Sequence, residues 1–306
     1  MLAYALRRIV DVIPVLIVIT LLAFLVFYFD PSDPVVMIAG ESATPEVEAA
    51  IRDRLGLDRP AHIQYLTFLG NVAQGDFGTS YRSRQPVASH VWPAFQATLV
   101  FTSVALVLMI VIGVPAGIVS ATRPYSLLDS VVMSTVLIGL SAPIFWVGIV
   151  LMYLFAFVLG WLPTGGFYSW KGVILPAVTL ALQYGAIVAR ITRASMLDAL
   201  DNDYIRTARA KGVSDRVVFY QHALKNASLP IVTTIGLQIG SMLGGTILIE
   251  TVFAWPGVGR MLVNAIVERD APIVQAGVLL IATAVLVLNL LTDWVYGLLD
   301  PRVRLA

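Results

Sequence analysis

The side chains best equipped for chemistry gather in residues 201–230, DNDYIRTARAKGVSDRVVFYQHALKNASLP, a charged stretch set between two long apolar runs. Arg206, Arg209 and Lys211 are cations that either pair with acids or mark a membrane face. Nothing beside them forms a catalytic set. His62, His90 and His222 lie far apart, with no H-E-x-x-H or comparable ligand pair, so no metal site is read. There is no G-x-x-x-x-G-K-[ST] phosphate loop and no Ser–His–Asp arrangement. The absence of cysteine excludes disulfides, thiol catalysis and cysteine-ligated metals. The chain therefore reads as a non-enzyme with no cofactor of its own, and any energy source must sit in another chain.

The elements that position this stretch follow from its pattern. Asp198 to Ala210 fits an amphipathic helix, with Met196, Leu197, Leu200, Tyr204 and Ile205 apolar and the three cations polar. Gly212 interrupts it as a helix C′ residue or tight turn. Ser214 N-caps a second helix with Asp215 at its positive end, and Pro230 opens the next apolar run. Small residues Ala208 and Ala210 beside the turn permit close approach by another surface. Composition does not separate a docking element from an amphipathic loop lying on lipid headgroups.

The surroundings are a membrane protein. Of 306 residues, 58% are hydrophobic and 13% charged, against about 25% charged in soluble domains. The net charge of +1 gives no basic field for nucleic acid. Six helical spans are predicted, over about 9–29, 96–120, 131–159, 172–191, 229–252 and 273–298. The first has a run too long for a signal peptide and no cleavage site, so it is read as retained. With the N-terminus inside, Lys and Arg divide 12 inside and 8 outside, five of the eight in the long 30–95 segment. The short loops govern orientation, so both termini and the charged stretch are cytoplasmic.

Residues 30–95 are predicted to be a folded extracytoplasmic segment. Thr44-Pro45-Glu46 starts a helix that Gly56 ends, and Tyr65, Phe68, Phe77 and Trp92 supply apolar surface. The spans form a core over 96–298 containing the loop 192–228, followed by a tail, 299–306. In the fifth span Gly236, Gly240 and Gly244 recur every fourth residue, a helix-packing ridge. Gln238 and Ser241 lie off that ridge; with Gln183 and Ser141 they are candidates for a translocation path, or for hydrogen bonds between helices. Pro143 can kink the third span. Gly113 and Gly117 read as packing. Glu250 is placed at a solvated outer helix end, and Trp161, Trp255 and Trp294 in interfacial belts.

Tyr204-Ile205-Arg206-Thr207-Ala208-Arg209-Ala210-Lys211-Gly212 resembles the cytoplasmic "EAA" loop of ABC-importer permeases, in the form typical of the dipeptide/oligopeptide/nickel branch. The general family motif has Glu where Arg206 stands and Pro where Lys225 stands. Other stretches match in order along nearly the whole chain. They are Asp30-Pro31-Ser32-Asp33-Pro34, with Ser32 for Gly, Leu55 to Pro60, Gly75-Asp76-Phe77-Gly78, Ser141 to Trp146, Phe253 to Gly259, Arg269-Asp270 and Asp300-Pro301-Arg302. The resemblance implies an all-α type I importer permease in a bacterial plasma membrane. It implies a second homologous permease, two cytoplasmic ATP-binding subunits carrying ATP and magnesium, and an extracytoplasmic substrate-binding protein. The stretch becomes a coupling helix seated in an ATPase groove, with Ala208 and Gly212 at the contact and Arg206, Arg209 and Lys211 as polar rim. Peptide is the implied substrate, with glutathione-like peptides or chelated nickel as alternatives. A lone ion-coupled carrier is disfavoured by the near absence of mid-span charge and of a repeat. A membrane enzyme is disfavoured by the missing catalytic set.

Overall fold

The computed structural model describes residues 2–29, 33–40 and 43–299, so the motif residues Asp30-Pro31-Ser32 and Asp300-Pro301-Arg302 lie outside the described residues. The chain begins with α1 (Leu2–Tyr28), then three shorter helices, α2 (Pro34–Ala39), α3 (Pro45–Leu55) and α4 (Ala61–Ala73). Long α5 (Ala88–Thr122) is followed by α6 (Leu127–Ser141) and α7 (Ile144–Met152), which runs on as a π-helical turn, Tyr153–Val158. Then come α8 (Ile174–Asp201), α9 (Asp203–Ala210), α10 (Asp215–Val217), α11 (Leu224–Val252), α12 (Val258–Val267) and α13 (Ala271–Leu299). Among the described residues the only β feature is an isolated bridge between Thr79 and Pro86.

Among the described residues four helical runs are long and apolar enough to cross a membrane: Ala88–Thr122, Trp170–Asp201, Asp215–Val252 and Ala271–Thr292. α1 carries a shorter apolar stretch, Val12–Tyr28. The third expected span is not one kinked helix. It is α6 and α7 meeting at 108°. Pro143 lacks the N–H that would continue the ladder, and the preceding Ala142 is extended (φ −78°, ψ 134°). Nor does Pro230 open the fifth span. The helix starts before it, through a π-helical turn at Val218–Ala223.

The chain forms two compact units. Of the described residues, one unit takes 2–5, 98–256 and 285–299, and the other takes those within 6–97 and 257–284. In the first unit α8 is the most enclosed helix, packed by α5, α6, α7 and α11. Lipid tails are as apolar as leucine, so close backbone approach rather than greasiness must join such helices. Gly113 and Gly117 provide it. A Cβ on Gly113 would sit 2.8 Å from the Gly185 carbonyl oxygen, and one on Gly117 2.5 Å from that of Ala189. Overpacking of this kind costs about 1–3 kcal/mol.

The end of α11 that carries Glu250 is not solvated. Glu250 is fully buried and accepts a 2.6 Å hydrogen bond from the Thr98 hydroxyl. The chain doubles back after Val252, and Phe253 and Trp255, 1% and 0% exposed, cover the helix end. Trp255 packs on Phe167 with ring centroids 4.5 Å apart and the rings tilted by 42°, and lies edge-on to Phe101. It is therefore a core residue, not a belt residue, whereas Trp161 and Trp294 are exposed.

In the second unit Val87, Val91 and Ala94 pack against Val258, Leu262, Ala265, Ile273 and Val274. Thr44 and Pro45 start α3 and Gly56 closes it, as expected, although Thr44 makes no side-chain capping bond. The Asp270 carboxylate is buried and gathers three donors: the Ser80 hydroxyl and the backbone N–H groups of Tyr81 and Arg82. Burial, helped by the Asp270 charge, pushes the Tyr81 phenol up from 10.0 to about 12. An acid whose folded pKa is raised binds its proton more tightly in the folded state, so stability is held below pH 10 and lost as pH climbs toward 12. Tyr81→Phe should flatten that part of a stability–pH curve, measured by thermal unfolding; an unchanged slope would contradict the assignment.

Candidate functional site

The charged stretch folds differently from its amphipathic pattern. The expected helix 198–210 is broken: α8 continues to Asp201, Asn202 turns extended (ψ 149°), and α9 starts at Asp203. The Asn202 amide donates to the Asp198 carbonyl at 2.8 Å, closing α8 by a local bond that competes with the helix. Met196, Leu197 and Leu200 thus belong to the end of α8. Asp203 in the first turn of α9 and Arg209 in the last complement the helix dipole.

One residue anchors α9. Ile205 is fully buried among Ala121, Met196, Ala199, Val218, Ala223, Ala227 and Ile231. Burial of such a side chain contributes about 1.5–3 kcal/mol. Ala208 is half-buried against the same cluster, so its methyl faces inward rather than outward. Tyr204, Arg206, Thr207, Arg209, Ala210, Lys211 and Gly212 are exposed. The exposed ion pairs Arg206–Asp203 at 3.6 Å and Arg209–Asp215 at 3.5 Å lie along this surface and contribute little stability.

Gly212 ends α9 in the left-handed region, φ 77°. Its N–H donates to the Arg209 carbonyl at 2.9 Å, and that of Val213 reaches the Ala208 carbonyl at 3.2 Å. These two bonds make a Schellman turn, which glycine enters without a Cβ penalty. Ser214 stands at the N-cap of α10 but makes no capping bond. The product is a short basic knob with a small-residue tip, pinned from behind.

The four path candidates do not converge. Ser141 is exposed where α6 ends. Gln183 lines a cavity of about 440 Å³ bounded by α5, α6, α7 and α8, and its Oε1 is buried without a hydrogen-bond partner. Gln238 and Ser241 lie near one another on α11. Exposed residues there recur as Leu237, Ser241, Gly244, Leu248 and Thr251, a 4-3-4-3 stripe left open in this chain. The glycine ridge holds only in part. Gly236 is buried, and a Cβ on Gly240 would sit 3.1 Å from Asn289 Oδ1, but nothing stands within 4 Å of one on Gly244. The packing glycine at that level is Gly245, where a Cβ would lie 2.6 Å from the Tyr184 hydroxyl; that hydroxyl donates to the Ser241 carbonyl.

Sequence reasoning missed a polar cluster on this unit. Asp129 in the first turn of α6 accepts from Arg193 Nε at 2.8 Å and Nη2 at 2.7 Å, from the Ser120 hydroxyl, and from the Tyr125 N–H at 2.8 Å. The one local signal was Ser126-x-x-Asp129, a capping pattern: the Ser126 hydroxyl oxygen accepts from the Asp129 N–H at 3.2 Å. Nothing local points to Arg193, 64 residues away.

The broken third span, the long enclosed α8 and the pinned knob after it define a type I ABC importer permease fold. Residues 113–305 match the family "Binding-protein-dependent transport system inner membrane component", and residues 1–102 match its N-terminal companion. The chain belongs to this family and is a permease subunit of a binding-protein-dependent ABC importer. It is 42% identical to the dipeptide transport system permease of Alkalihalophilus pseudofirmus, over 99% of this chain and 100% of that one. It is 43% identical to the glutathione transport system permease of Salmonella choleraesuis, over 99% of both. At the level of fold it is similar to the MetNI methionine ABC transporter in an inward-facing conformation. There the TM-score is 0.60 with 19% identity, over 69% of this chain and 96% of that one.

Proposed function

We propose that this permease forms half of a path for short peptides and is driven through α9. In this reading α9 seats in a groove of a cytoplasmic ATP-binding subunit, with Arg206, Arg209 and Lys211 paired to acids at its rim. The carrying observation is the division of α9 into a face anchored by buried Ile205 with half-buried Ala208, and an exposed basic face. A helix pinned on one side and open on the other passes an external push to α8 and α11, which share its apolar cluster.

The assembly is a heterodimer with a second, homologous permease, two ATP-binding subunits and one extracytoplasmic binding protein. ATP and magnesium belong to the ATP-binding subunits, and both termini of this chain are cytoplasmic. The open stripe of α11 supplies the path wall, with Ser241 on it and Gln238 beside it as polar groups. Ser141 and Gln183 act away from that wall, at the helix break and in the α5–α8 cavity. The relatives named for dipeptides and for glutathione support a short peptide as substrate. Uptake of a tritiated dipeptide by cells carrying the complete importer, with unlabelled dipeptides and glutathione as competitors, tests this. Competition by dipeptides supports it; ATP-dependent uptake indifferent to every peptide would refute the substrate class.

A further inference from the structure

We propose that Asp129 and Arg193 are positioning residues that pass the displacement of α9 to the broken helix α6–α7. The proposal rests on the docking reading above and extends it into the membrane core. Arg193 lies on α8 eight residues before its end, roughly 12 Å of rigid helix from the turn into α9. Asp129 lies in the first turn of α6, which leads to the 108° break.

The geometry at the carboxylate is complete. One oxygen accepts from Arg193 Nε and the Ser120 hydroxyl, the other from Arg193 Nη2 and the Tyr125 N–H. The Asp129 side chain is 5% exposed and that of Arg193 22%. Tyr125 holds a left-handed φ of 61° while delivering its N–H, although its side chain is 91% exposed and gains nothing there by packing. Backbone strain of this kind persists where the surroundings over-determine it. Ser120 belongs to α5, so one carboxylate ties α5, α6 and α8 at a single level.

Apolar contacts also join α6 to α8, through Val136, Ala186 and Ala189. Such contacts tolerate sliding, because one small apolar neighbour replaces another. A two-pronged arginine–carboxylate pair does not, since a shift of one helical turn breaks both bonds and leaves buried charge. The pair therefore fixes register, and α6 must follow α8.

The test uses the complete importer with its binding protein in liposomes, reading peptide transported per ATP hydrolysed, with a tritiated dipeptide as probe. The double variant Asp129→Leu/Arg193→Met keeps apolar bulk and removes the link. Arg193→Lys keeps charge and loses the two-pronged geometry. Both variants should assemble and hydrolyse ATP. Peptide moved per ATP should fall about tenfold in the double variant, a common size for coupling between sites, and less in Arg193→Lys. A wild-type ratio in the double variant overturns the proposal. Loss of assembled complex in both variants also overturns it, by making the pair merely structural. If the ATP-binding subunits do not assemble with the wild-type chain, the docking reading itself fails and takes the proposal with it.

Discussion

Gly212→Trp is expected to abolish both peptide uptake and co-purification of the ATP-binding subunits, while the chain still inserts into the membrane. Two effects act together. At φ 77° any side chain is strained, by about 1–2 kcal/mol for an L-residue in the left-handed region. The indole also adds bulk at an exposed tip, where no atom of the described chain lies within 4 Å of the new Cβ. Companion variants separate the two. Gly212→Ala carries the strain with little bulk and should weaken association without abolishing it. Ala210→Trp carries the bulk at an ordinary exposed helical position and should abolish association as Gly212→Trp does. Ala208→Trp is not equivalent, because its side chain would enter the Ile205 cluster and damage the fold of the knob itself. Normal association by both Gly212→Trp and Ala210→Trp would remove the docking role from this tip.

Gly244→Trp should give the opposite signature: ATP-binding subunits retained and uptake lost. Gly244 sits in the middle of the open stripe of α11, flanked by Leu237 and Leu248, 63% and 52% exposed. A Cβ there has nothing within 4 Å, so the substitution should spare folding, and the ring would project into the space proposed as the path. Gly245→Trp is the contrasting control. Its Cβ would stand 2.6 Å from the Tyr184 hydroxyl, and loss of the folded chain is expected. Thermal unfolding and uptake measured on the same preparations distinguish blockage from misfolding. Wild-type uptake by Gly244→Trp would place the path elsewhere.

Local chemistry made much of this chain legible. The Gly212 turn, the Thr44–Gly56 helix and the packing of Gly113 and Gly117 follow from what glycine, proline and capping residues do to the nearby backbone. What escaped depends on residues distant in sequence. The burial of Glu250 requires the chain to fold back at Phe253–Trp255, and a polar group near a helix end gives no sign of that. The break at Asn202 escaped because the apolar period runs through it from Met196 to Ile205. Pro143 announced a bend, but 108° is set by where α6 and α7 find neighbours. The Asp129–Arg193 pair joins positions that no period connects. Small residues suit an interface, which points Ala208 outward, but they suit a crowded interior equally well, and there Ala208 lies.

The most direct test of the central claim uses the natural absence of cysteine. Ala210→Cys creates a single thiol on the exposed surface of α9, to be labelled with a photoactivatable crosslinker in native membranes. Tyr168→Cys, at a side chain 95% exposed in the loop before α8, is the control. The account expects the Ala210 position, and not the Tyr168 position, to give an adduct with a soluble ATP-binding subunit, identified by mass spectrometry. Adducts with lipid alone at Ala210 would contradict it, and the charged stretch would then be a membrane-surface loop.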